Sequence, residues 1–223
     1  MRQYSIDARN IKNPIYPCPI KMGGKNANGQ MLSIGNYYLS LNGKPFFGIC
    51  GEAHFSRMNR ELWEDEIIKM KAGGLNIIAT YIFWIHHEEI EGTFDFSGNK
   101  DLRIFLELCK KNHMYVILRI GPFSHGECRN GGFPDWIYGQ PFDIRCDDPS
   151  YLYYTRRFYE QIYQQAKGLL FKDNGPVIGV QLENEHEHAS CPWEMTTENS
   201  KEWVVSGHDG KNHMNTLKKI AKE

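Results

Sequence analysis

At 223 residues, 41% hydrophobic and 13% aromatic, the chain is long enough for one large domain with a full core, or for two small ones. A net charge of −1, with no run of five like charges, leaves no electrostatic reason to expect nucleic acid or a membrane surface as partner. No stretch approaches the roughly 18 apolar residues of a transmembrane helix, and the opening residues lack the apolar core of a secretory signal. Six scattered cysteines without a C-x-x-C pair fit neither a zinc ribbon nor a dense disulfide frame, so mostly reduced thiols are expected.

Residues 1–35, rich in Asn, Pro, Gly and Lys, carry no periodicity and are expected to form an irregular lead-in. Asn42-Gly43 between two short apolar runs is a strong hairpin signal, because both residues tolerate positive φ. Four strand-then-helix units follow. The first strand is expected at 46–50, ending in Glu52 and His54, with a helix over 60–72 that buries Trp63, Ile67 and Met70 and stops at Gly73-Gly74. The second strand spans 76–84 and runs into His86, His87, Glu88 and Glu89; its helix, 101–111, buries Leu102, Phe105, Leu106 and Cys109. Strand three spans 114–120 and ends in a Gly-Pro loop carrying Glu127. Asp148-Pro149 then caps a helix that runs to about 167, where Gly168 ends it.

The fourth strand, 177–182, is continuously apolar, as expected of a parallel strand covered on both faces, and breaks off into Glu183-Asn184-Glu185. Alternating strands and helices predict a parallel sheet, and polar groups gather after the C-terminal end of every strand. In a (β/α)8 barrel those ends converge on one mouth. A doubly wound sheet would carry a glycine-rich nucleotide loop at the first turn, and Gly51-Glu52-Ala53-His54 is no such loop. The α/β (β/α)8 TIM barrel is therefore the expected fold class, present as roughly its first four β/α units. The tail from 215 to 223 is helical in pattern without a cap, so the chain is expected to be cut off inside its fourth helix.

Paired carboxylates at such a mouth suit glycoside hydrolysis, in which one acts as acid/base. Glu185 is the candidate, with Trp84 and Trp136 as expected walls against water and Asn184 suited to a sugar hydroxyl. Glu183, two residues back, shares a strand face with Glu185 if the strand continues, and spacing leaves the choice between them open. A zinc site drawn from His86, His87, His186 and His188 is disfavoured for lack of a helix-borne H-E-x-x-H, and a serine triad for lack of a G-x-S-x-G elbow.

The ordered motifs Ala72-Gly73-Gly74-Leu75-Asn76, Thr80-Tyr81-Ile82-Phe83-Trp84, Gly92-Thr93-Phe94-Asp95-Phe96, Arg119-Ile120-Gly121-Pro122-Phe123, Gly131-Gly132-Phe133-Pro134-Asp135-Trp136 and Gln181-Leu182-Glu183-Asn184-Glu185 resemble the family 35 β-galactosidases over residues 36–188. The resemblance implies a barrel that removes terminal β-galactosyl residues from β-galactosides with retention, without a metal or other cofactor. It assigns the proton donor to Glu185, a hydroxyl next to the anomeric carbon to Asn184, and galactose hydroxyls to Tyr81 and Glu127. The nucleophilic carboxylate is expected on a later strand, outside this chain. Three positions depart from the family pattern: Ile85 stands for an Asn, Glu89 for a Pro and Cys128 for a Trp. The alternatives are a non-catalytic sugar-binding barrel relative and a retaining glycosidase of other sugar specificity.

Overall fold

The computed structural model describes residues 4–5, 14–17, 22–186, 193–196, 202–205 and 213–223; His188, one of the histidines weighed for zinc, lies outside them. The chain forms two compact units, residues 1–48 and 49–223.

The first unit is an antiparallel meander of β1 (Gly23–Lys25), β2 (Met31–Ile34), β3 (Leu39–Leu41) and β4 (Lys44–Phe46). Asn42 and Gly43 turn the β3–β4 hairpin with φ of 54° and 74°, pairing Leu41 with Lys44. The stretch expected to be irregular up to residue 35 therefore holds two strands. They are too short to show alternation in sequence, and Asn26 closes their turn by accepting from the Gln30 N–H at 2.8 Å. Phe46 belongs to this sheet, so the first parallel strand begins later than expected.

The second unit runs β5 (Cys50–Glu52), α1 (Trp63–Ala72), β6 (Ile77–Tyr81), α2 (Trp84–His87), α3 (Leu102–Lys111), β7 (Tyr115–Arg119), α4 (Pro149–Ala166) and β8 (Val177–Gln181). The four strands are parallel in the order β5-β6-β7-β8. A doubly wound sheet reverses its strand order at a switch point, whereas successive barrel strands add in sequence order, as here. Beyond β8 lie an antiparallel pair, β9 (Trp193–Thr196) and β10 (Glu202–Val205), and α5 (His213–Ile220).

The helices begin where their capping chemistry requires. Asp101 accepts from the Ile104 N–H at 3.0 Å to open α3, and Asp148 accepts from Ser150 N–H at 2.8 Å to open α4 ahead of Pro149. Trp63, Ile67, Phe105, Leu106, Phe158 and Ile162 from the helices meet Ile78, Val116 and Leu118 from one face of the sheet in a single core. Gly51 in β5 lets Leu75 pack against the strand, since a Cβ there would sit 2.2 Å from Leu75 Cδ2 and displace that side chain.

The strand expected over 76–84 ends at Tyr81, and α2 starts three residues later. That turn carries Trp84, His87 and Glu88 into the helical layer and away from the strand ends. Trp84 is fully buried and stacks on Phe158 with ring centroids 4.8 Å apart. Glu88 accepts from Trp84 Nε1 (2.7 Å), Gly92 N–H (2.8 Å) and Arg157 Nη2 (3.2 Å), while Trp136 Nε1 donates to its backbone carbonyl. Trp84 and Trp136 are thus packing groups held by one residue, Glu88, the first through its carboxylate and the second through its backbone carbonyl, and they do not wall the strand ends. β8 also departs from expectation: it ends at Gln181, and Val180 is 49% exposed, because the helices cover only one face of the sheet among the described residues.

His87 is buried against Phe96, with ring centroids 4.3 Å apart, and its Nδ1–H faces the Asp95 carbonyl at 3.0 Å. Burial lowers its folded-state pKa to about 4, so as pH falls the unfolded chain takes up this proton first. The stabilisation is complete above about pH 6.5 and is lost progressively towards pH 4, to a limit of about 3 kcal/mol. Urea midpoints measured across that window should fall steeply for the wild type, and by one proton's worth less for His87→Gln; identical slopes would remove His87 from the account.

Candidate active site

The parallel register sets the site. Tyr81 pairs laterally with Arg119, and Arg119 with Gln181, so the last residues of β6, β7 and β8 stand in one row across the sheet. Adjacent strands lie about 4.8 Å apart, which is close enough for three side chains of a row to reach one acceptor. They converge on Asn184 Oδ1: Tyr81 Oη donates at 3.0 Å, Arg119 Nη2 at 2.7 Å and Gln181 Nε2 at 3.3 Å. Three donors on one oxygen fix the amide orientation and leave Nδ2 as the group Asn184 can offer to a ligand.

A second layer holds that row. Arg119 lies over the Tyr81 ring, its Cζ 3.7 Å from the centroid, and its Nη1 pairs with Glu52 at the end of β5. His54 Nδ1 accepts from the Tyr81 N–H at 3.3 Å, which makes Nε2, 3.6 Å from Glu52, the protonated nitrogen of the neutral ring. Burial lowers the His54 pKa and keeps that ring neutral. Burial also raises the Tyr81 phenol, assisted by the negative charges of Glu52, Glu127 and Glu185 and opposed by Arg119. The phenol is therefore a neutral donor at physiological pH.

The two glutamates beside Asn184 have different surroundings. β8 stops at Gln181, and both Glu183 and Glu185 adopt left-handed backbone, with φ of 57° and 45°. They do not share a strand face, because no strand continues through them. Glu183, 2% exposed, takes a two-pronged ion pair from Arg145 at 3.0 and 2.5 Å and also accepts from the Asn184 N–H. Burial pushes its carboxyl up while Arg145 pulls the other way. Arg145 in turn donates to the Asn184 carbonyl and lies over Phe123, 3.8 Å from the ring centroid. Glu185 is exposed to solvent.

Glu127 is also exposed, with φ of 47°. The preceding Gly126 packs against Tyr81 and Phe83 so closely that a Cβ would meet both rings at about 3 Å, and its carbonyl accepts from Arg57 at 2.7 Å. That packing seats the Glu127 loop on the Tyr81 side of the row, where Glu127 borders a cleft of about 410 Å³.

Of the residues expected at the site, Tyr81 and Asn184 are hydrogen-bonded to each other, Glu185 follows Asn184 and is exposed, and Glu127 follows the Gly126 that packs on the Tyr81 ring, with Glu52 and His54 supporting the row. His86 and His87 lie on α2, and His86 bonds Ser56. Arg119 and Gln181 were readable as polar residues closing apolar strands. Arg145 carried no signal, since it sits in an aperiodic loop and its partner is 38 residues away.

A family model described as Glycosyl hydrolases family 35 matches residues 38–221. A β-galactosidase of Xanthomonas manihotis is 36% identical over 169 residues, covering 75% of this chain and 28% of that protein. A β-galactosidase of Homo sapiens is 38% identical over 167 residues, covering 74% and 25%. The chain thus spans about a quarter of the length of these relatives. Among solved structures, an endo-1,4-β-mannanase from Rhizomucor miehei superposes with a TM-score of 0.57 at 12% identity, covering 86% of this chain and 57% of that one. The exo-β-1,4-mannosidase Op5Man5 from Opitutaceae bacterium strain TAV5 gives 0.52 at 16% identity, covering 75% and 27%. At such identities the likeness shows the fold alone, part of a (β/α)8 barrel.

Removing one partner of a buried ion pair leaves the other charge unanswered. Arg145→Leu should therefore destabilise the protein by about 3–5 kcal/mol in chemical denaturation. A loss below about 1 kcal/mol, the range of an exposed pair, would mean that Glu183 does not depend on Arg145.

Proposed function

The chain belongs to family 35 of the glycosyl hydrolases, and from that premise we propose that the protein is a retaining β-galactosidase in which Glu185 is the acid/base. One observation carries the assignment: of the two glutamates flanking Asn184, Glu183 is consumed by Arg145, while Glu185 faces solvent within electrostatic reach of Tyr81. The relatives named β-galactosidase support the substrate class.

Each residue's role follows from what it has left to offer. Asn184, its oxygen saturated, donates from Nδ2 to the hydroxyl beside the anomeric carbon. The Tyr81 hydroxyl spends its proton on Asn184, so its oxygen accepts from a galactose hydroxyl. The Glu127 carboxylate accepts from others. Glu185 gives its proton to the glycosidic oxygen as that bond to the anomeric carbon breaks, and the leaving group departs as an alcohol. It then takes a proton from the water that releases the sugar from a carboxylate nucleophile. We assign that nucleophile to no described carboxylate: Glu52 is paired with Arg119, Glu183 with Arg145, and Glu88 is buried in the helical layer.

In the full-length protein, Glu185→Gln should lower turnover of lactose by about 10²–10⁴-fold. Substrates whose leaving group needs no protonation should be spared in the first step. Lactose turnover at the wild-type rate would overturn the assignment.

A further inference from the structure

Glu185 is exposed and has no side-chain partner among the described residues, so its neighbours in the chain decide where its carboxylate points. Its left-handed backbone, with φ of 45°, is one that a non-glycine residue keeps only under restraint. On the N-terminal side the restraint is Arg145, which bonds the Glu183 carboxylate and the Asn184 carbonyl. On the C-terminal side it is His186, 7% exposed, whose Nε2–H donates to the Arg145 carbonyl at 3.3 Å. The His186 ring also stacks on that of His213, with centroids 5.2 Å apart and planes 29° apart.

His213 is the first residue of α5 and is fully buried. Its Nδ1–H donates to Asp147 Oδ1 at 2.7 Å, across 66 residues of chain. Thr216, one turn further along α5, donates from Oγ1 to Asp147 Oδ2 at 2.8 Å. One carboxylate thus fixes the start of the helix and orients the imidazole it presents to His186. The helix is itself seated, with Leu217 and Ile220 buried and Arg156 paired to Glu223 just past its end. Burial lowers the pKa of both rings, that of His186 to about 4. Near neutral pH the stacked pair therefore brings no charge beside Arg145.

We propose that His213 and Asp147 are positioning residues for Glu185: the buried pair holds His186 in place, and His186 fixes the residue before it. This role rests on the reading of Glu185 as the acid/base. Tyr81 and Asn184 do not depend on the pair, because the strand ends and Arg145 hold them. Loss of the pair therefore impairs proton transfer and spares the hold on galactose.

Two substrates of the full-length protein test this. Lactose has a leaving group that needs a proton, and dinitrophenyl β-galactoside has one that does not; kcat/KM reports the first chemical step for both. His213→Ala should lower kcat/KM for lactose about tenfold, as misplacing a catalytic group does, and leave dinitrophenyl β-galactoside within about twofold. Galactose should inhibit the variant with a constant within about twofold of the wild type, its binding groups being untouched. Should His213→Ala not fold, Asp147→Asn keeps the shape and gives up one of the two acceptors. It should lower the lactose-to-dinitrophenyl ratio about threefold, as loss of one hydrogen bond would. A merely structural pair would lower both substrates in step, through fewer folded molecules. That result overturns the proposal, and so does an unchanged ratio in the variant that folds. Glu185→Gln, assayed alongside, keeps the two readings apart. If it separates the substrates and the His213 and Asp147 variants do not, the positioning role falls and the acid/base stands. If Glu185→Gln does not separate them, both fall.

Discussion

The site depends on lateral register in a parallel sheet. Tyr81, Arg119 and Gln181 end three neighbouring strands at the same level, and that alignment makes a single amide oxygen reachable by all three. A shift of one residue in any strand would turn its terminal side chain to the helical face, because side chains alternate with a period of two. The apolar residues below the row prevent such a shift: Ile78, Val116 and Leu118 are buried against the helices and would be driven to the open face. Core packing and the geometry of the mouth are thus one constraint, and the hydrophobic pattern that sets the sheet also aims the polar groups.

The second constraint is local and is held against strain. A left-handed backbone at a non-glycine residue costs on the order of 1 kcal/mol or more, and this loop accepts it on both sides of Asn184. Arg145 offsets that cost at Glu183 with two charge-assisted hydrogen bonds and adds a third to the Asn184 carbonyl. The consequence is a separation of duties between two adjacent acids of the same type. One is locked into the protein and shapes the loop, while the other, Glu185, faces solvent with no side-chain partner among the described residues. Burial and a dedicated cation decide which glutamate is structural, and neither is a property of the Glu-Asn-Glu sequence.

That difference marks what could be read in advance. Helix starts at Asp101 and Asp148, helix stops at Gly73 and Gly168 and the parallel strands β6 to β8 follow from local chemistry and were readable, whereas β5 begins four residues later than expected. The residues that misled are those whose partners are distant in sequence. Glu88 and Trp84 look like mouth residues because they follow an apolar run, yet a single short helix turns them to Phe158 and Arg157, some 70 residues on. Arg145 has no periodic context and becomes intelligible only beside Glu183. The strands β1 and β2 escaped notice for another reason: three or four residues are too few to display a period.

The same division explains where this chain can differ from its family without loss of the site. The row at the strand ends is bound to the core and tolerates little, since each member supports the others through Asn184 Oδ1. The side chains of the cleft come from the turn after β5, from α2 and the segment between it and α3, and from the loop after β7, outside that row, and none of Ile85, Glu89 or Cys128 has a place in the network that holds Asn184. Substitution there would alter the cleft while the hydrogen bonds that hold Asn184 stay as they are, because those bonds come from the strand ends and the strand ends are fixed by the core.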